Sequence, residues 1–119
     1  MRYAFLIYAD QSAWAGMSQQ EATEARVREM PKWEALFGEL ARVDPKVDGT
    51  ELDEATGAKT LSVRNGQTLI TDGPFAETKE LIGGIFVIDC PNLDVAIELA
   101  AKIPTAEHGS IEVRPIVER

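Results

Sequence analysis

At 119 residues, 45% of them hydrophobic, the chain is sized for one domain, residues 1–119, around one core. Its net charge of -8 argues against nucleic acid and acidic membrane surfaces, which need clustered Lys and Arg. The single cysteine, Cys90, excludes an internal disulfide and fits a reducing cytoplasm, and neither a signal peptide nor a run of about 20 apolar residues is evident.

Tyr3 to Tyr8 is apolar and aromatic-rich, a first strand covered on both faces. Asp10 to Gly16 reads as a loop holding Trp14. Ser18 followed by Glu21 forms a capping box, opening a helix that runs to about Val43 with Met30, Trp33, Phe37 and Leu40 along one face. Pro31 predicts a kink there, or two abutting helices. Asp44 to Thr56 is polar and turn-rich, the least regular stretch. Thr60–Val63 and Thr68–Thr71 flank Asn65-Gly66, a type I′ hairpin signal. Ile82 to Ile88 follows as a strand, its second half without alternation and so buried on both faces. Asn92 caps a second helix with an apolar stripe of Leu93, Ala96, Ile97 and Ala100. Ile111 to Arg114 alternates cleanly, and Pro115 confines that strand to an edge or an end.

Strand, helix, hairpin, strand, helix, strand is a split βαβ pattern with an extra hairpin strand, hence an α+β sandwich of ferredoxin-like type. Two helices cover only one face of so small a sheet. Strands apolar on both faces therefore call for a homodimer with sheets packed face to face and polar clefts where they diverge.

The segment Asp72-Gly73-Pro74-Phe75-Ala76-Glu77-Thr78-Lys79-Glu80 packs a turn, a proline, an aromatic and four charges into one loop between apolar strands. With Gly83-Gly84, Glu112 to Pro115, Tyr3 to Asp10 and Ala13-Trp14, it resembles the DGPF-type branch of the YCII-related proteins. The resemblance implies a dimeric α+β barrel and says little about activity. Some relatives are fused to, or encoded near, extracytoplasmic-function sigma factors, so a sigma factor is a possible partner. A first-helix histidine paired with an aspartate has been proposed for the wider family. Ser18 to Val43 contains no histidine, so that chemistry is not carried over.

Asp72 is the foremost candidate, as a general base or orienting carboxylate in a small cofactor-free enzyme. The bland alternative is a cap on the amides of its own turn. Pro74 pushes Gly73 towards extended geometry and stiffens the loop. Phe75 reads as a plug anchoring the loop to the core, with ligand contact as the other use. Glu77 and Lys79 form a polar rim or a solvated loop. Glu112 and Arg114 share a strand face, where Arg114 can grip a small anionic ligand or pair with Glu112, Asp72 or Asp10. Tyr3 and Tyr8 have opposite parity, so only one faces the cleft. His108, the lone histidine, reads as an exposed turn residue, and Cys90 as a small buried hydrophobe. No metal-ligand cluster, P-loop or dinucleotide fingerprint is present, and no cofactor is expected. A ligand-binding or regulatory protein with a cleft at Asp72 and Arg114 leads over an enzyme.

Overall fold

The computed structural model describes residues 1–10, 12, 16–75 and 79–119. Trp14 and the loop centre, Ala76, Glu77 and Thr78, lie outside the described residues. The elements are β1 (Arg2–Asp10), α1 (Gln19–Val43), β2 (Asp48–Glu51), β3 (Lys59–Arg64), β4 (Gln67–Asp72), β5 (Glu80–Asp89), α2 (Leu93–Ala100) and β6 (Ser110–Pro115). Four strands form one antiparallel sheet in the order β2-β5-β1-β6, while β3 and β4 form a separate two-stranded sheet. This is the ferredoxin-like α+β architecture.

Strand alternation divides the large sheet into two faces. Tyr3, Phe5 and Ile7 of β1 pair with Ile88, Phe86 and Gly84 of β5 and are buried under the helices. Leu36 and Leu40 of α1, and Ala96, Leu99 and Ala100 of α2, complete this core with Ile103. Each fully buried Phe, Ile or Leu there contributes about 1.5–3 kcal/mol. Ala4, Leu6, Tyr8, Ile85 and Val87 point to the other face, which neither α1 nor α2 covers, and remain half-buried. The unalternating run Ile85 to Ile88 thus supplies both faces.

The helix faces are rotated from expectation. In α1 the inward stripe is Trp33, Leu36 and Leu40, whereas Met30 and Phe37 are exposed. Phe37 leans against Trp33 and Phe86 with ring centroids 6.0 and 6.2 Å apart. In α2, Leu93 and Ile97 face outward and Leu99 faces the core. Both N-caps form: Glu21 N–H donates to Ser18 Oγ (3.1 Å), the first half of the expected capping box, and Val95 N–H to Asn92 Oδ1 (2.9 Å). α1 continues through Pro31 as one 25-residue helix rather than two.

The stretch after Asp44 is more regular than its composition suggests. Asp48 to Glu51 forms the outer strand β2, with Gly49 across from Phe86. A Cβ on Gly49 would sit 2.5 Å from the Phe86 ring, so the strand's own glycine admits that aromatic. The opposite edge is β6, which ends in Pro115. Asn65 and Gly66 adopt φ of 52° and 76°, the type I′ turn expected of the β3–β4 hairpin.

Candidate functional site

The uncovered face of the sheet has an apolar half and a polar flank. Register on β6 puts Arg114 opposite Ala4, Glu112 opposite Leu6 and Ser110 opposite Tyr8. Paired residues of antiparallel strands project to one side, so Tyr8, Ser110, Glu112 and Arg114 share the open face. Tyr3, of opposite parity, is buried in the core. Arg114 Nη2 is in ion contact with Glu112 Oε2, the internal pairing weighed above, and its side chain stays 66% exposed. A guanidinium has five N–H donors, so donors remain for a second acceptor.

Asp10 ends β1 at the rim of this face. Ser12 donates to its Oδ1 through both the hydroxyl and the amide, the latter at 2.9 Å. The Ser12 hydrogen bonds, helped by the positive charge of Lys79, hold the Asp10 carboxyl below its ordinary range. Asp10 and Lys79, two candidates named from sequence, are thus electrostatic neighbours.

Asp72 stands elsewhere. It lies at the base of the hairpin, directly across from Lys59, with which it forms an ion pair, and its side chain is 84% exposed. The desolvation that a general base requires is missing from the isolated chain. Its turn is organised by others: Gly73 N–H donates to Ala58 O (2.8 Å), and Thr60 Oγ1 donates to Gly73 O (2.9 Å). Gly73 takes φ of +93°, not the extended geometry expected before Pro74. Lacking Cβ, glycine escapes most of the clash through which proline restricts its predecessor.

Phe75 is 89% exposed and anchors nothing within the chain, which corrects its reading as a core plug. Phe75 takes no part in the cluster of buried residues that β1, β5, α1 and α2 build. Glu77 lies outside the described residues. The structure brings together Tyr8, Glu112 and Arg114 on the open face, and Asp10 with Lys79 at its rim. Asp72 is joined to Lys59 on the smaller sheet.

His108 Nε2 lies 3.2 Å from Glu29 Oε1 of α1, on the helical side of the molecule. Cys90 is 2% exposed, and burial pushes its thiol up. A 280 Å³ depression between α1 and the segment after α2 is flanked by the ion pairs Lys32–Glu107 (3.2 Å) and Lys102–Glu39 (2.8 Å). None of the site candidates lines it. Among the described residues, no group of three or more His, Cys, Asp or Glu is placed to hold a metal ion. No helix of the described chain is long and apolar enough to cross a membrane.

Lys59, Ser12 and Ser110 escaped the sequence reading. Lys59 was within reach, because a two-residue Asn65-Gly66 turn pairs Arg64 with Gln67 and so, five steps back, Lys59 with Asp72. Ser12 and Ser110 gave no such signal.

Comparison with known proteins agrees over the whole length. The family model of the YCII-related domain matches residues 1–119. An uncharacterised protein of Rhizobium meliloti (strain 1021) is 37% identical over 118 residues, covering 98% of this chain and 92% of its own.

Proposed function

The chain belongs to the YCII-related family, and from that premise we propose that it is a small-ligand-binding protein of the DGPF-type branch, acting as a homodimer. Two copies stack their uncovered sheet faces. The polar flank of Tyr8, Ser110, Glu112 and Arg114 then forms the wall of a cleft for a small carboxylate- or phosphate-bearing molecule.

One observation carries this reading: Arg114 is presented on the open face with Tyr8 and Ser110 and opposite the helices, and Glu112 holds it in place. An arginine fixed by a neighbour keeps the planar fork that carboxylates and phosphates fit, at reduced entropic cost. The half-buried Ala4, Leu6, Ile85 and Val87 beside it supply an apolar surface that a stacked partner removes from water.

The test is a thermal-shift screen of wild type and Arg114→Gln against small carboxylates and phosphate monoesters. Compounds that raise the melting temperature of wild type and leave Arg114→Gln unmoved are the expected result. Equal shifts in both proteins, or none in either, sink the reading.

A further inference from the structure

The β3–β4 hairpin is amphipathic, and among the described residues its apolar side is left exposed. Register puts Leu61, Val63 and Ile70 on one face together with Lys59, Thr68 and Asp72, whereas Thr60, Ser62, Arg64, Gln67 and Thr71 occupy the other with Leu69. Leu61, Val63 and Ile70 are 60, 62 and 61% exposed. A lone two-stranded hairpin is marginal in water, so such a face is normally laid on something. The molecule is also spread out. Its radius of gyration is 16.4 Å, against about 13.5 Å for a compact chain of this length, and its extents are 46 × 46 × 19 Å.

We propose that this hairpin is an arm that closes on a second copy of the chain, so that the ligand cleft is completed by residues of both subunits. The proposal rests on the dimeric reading above and goes beyond it. Area favours a second copy as the occupant. Four strands of about six residues give the open sheet a footprint of about 400 Å². A stable interface needs about 800 Å² per partner. Under a two-fold axis each protomer gives one arm and receives one, and two hairpin faces of about 200 Å² each supply the difference.

Charge points the same way. Two copies of a chain carrying -8 approach most easily where charges cancel. On the arm's apolar face Lys59 neutralises Asp72, and on the open sheet Arg114 neutralises Glu112. The consequence for the site follows from parity. Asp72 and Lys59 share the face of Leu61 and Ile70, so burying that face carries the Asp72 carboxylate into the seam between subunits. Asp72, on a different sheet from Arg114 within one chain, then serves the cleft of the pair.

Light scattering on four proteins tests the arm separately from the dimer: wild type, Leu61→Glu/Ile70→Glu, Ser62→Glu/Gln67→Glu and Leu6→Glu. The first double variant charges the arm's apolar face, and the second adds the same charge to its other face. Leu6→Glu charges the open sheet. Wild type at twice 13.0 kDa, Leu61→Glu/Ile70→Glu at 13.0 kDa with unchanged circular dichroism, and Ser62→Glu/Gln67→Glu still dimeric are the expected results. Hydrogen exchange gives a second readout, with β3–β4 amides protected in wild type and losing that protection in Leu61→Glu/Ile70→Glu. If Leu6→Glu alone dissociates, the arm is overturned and the stacked dimer stands. Dissociation of both double variants also overturns the arm, because the effect is then charge and not face. A wild type monomeric at every concentration overturns arm and dimer together.

Discussion

Asp44 joins the end of α1 to the end of β5 through one carboxylate oxygen and holds the loop after α1 with the other. Asp89 N–H donates to Oδ2 (3.0 Å) and Lys46 N–H to Oδ1 (2.9 Å). The bonds from Asp89 and Lys46 hold its carboxyl below the ordinary range. A depressed folded-state value means the stabilisation is complete above the unfolded value of about 3.9 and is lost as pH falls through the lower, folded one. Asp44→Asn keeps one acceptor oxygen and loses the charge. We expect it to melt below wild type at pH 7, with the gap closing as pH drops below about 4. A gap independent of pH would show that the carboxylate's charge has no part in it. At this scale the sequence was legible where geometry is local: Ser18, Asn92 and the Asn65-Gly66 turn all act as their residue types dictate. Phe75 was not, because whether an aromatic is buried depends on what the rest of the chain places beneath it.

Elements were legible when periodicity was strong and opaque when the chain was polar. α1 extends to Val43 as its pattern predicts, but Pro31 does not divide it. Flanking turns and the packing of Trp33, Leu36 and Leu40 hold the helix together although Pro31 has no N–H to donate. Pro31→Ala restores that donor at an exposed position and should raise stability by up to about 3 kcal/mol in urea unfolding. An unchanged midpoint would mean the helix has already relaxed around the ring. β2, Asp-Gly-Thr-Glu, carries no hydrophobic residue, and only its pairing with β5 makes it a strand. Gly109 is another position fixed by its neighbours. A Cβ there would lie 2.2 Å from Tyr8 O, a backbone atom that cannot step aside. Gly109→Ala should therefore cost about 1–3 kcal/mol in the same measurement, and a neutral substitution would show that the β1–β6 end is pliable.

The whole molecule is a plate 19 Å thick in its shortest extent, with α1 and α2 on one side of the large sheet and, among the described residues, no helix on the other. Its fold class was legible in the order of elements, but the edge strand was not: Asp48–Glu51, and not the hairpin, joins the large sheet. The site was legible only in part. Tyr8, Glu112 and Arg114 follow from strand parity, whereas the setting of Asp72 depends on where a whole hairpin goes. Stacking two plates along their thin axis hardly widens them. Combining 16.4 Å with a half-separation of about 9.5 Å gives a dimer radius of gyration of about 19 Å, to be read by small-angle X-ray scattering. A value much above that would mean that the copies meet edge to edge.

The outer strands make that last geometry a poor one. On one margin β2 shows Asp48 and Glu51, and on the other β6 ends in a proline. Like charges repel a would-be neighbour at the first, and the second lacks an amide to continue a ladder. Sideways recruitment, the route by which sheets grow into fibres, is discouraged at both rims while the flat side stays sticky. On the dimeric reading proposed above, a chain so arranged is steered towards a count of two and away from an unending ribbon.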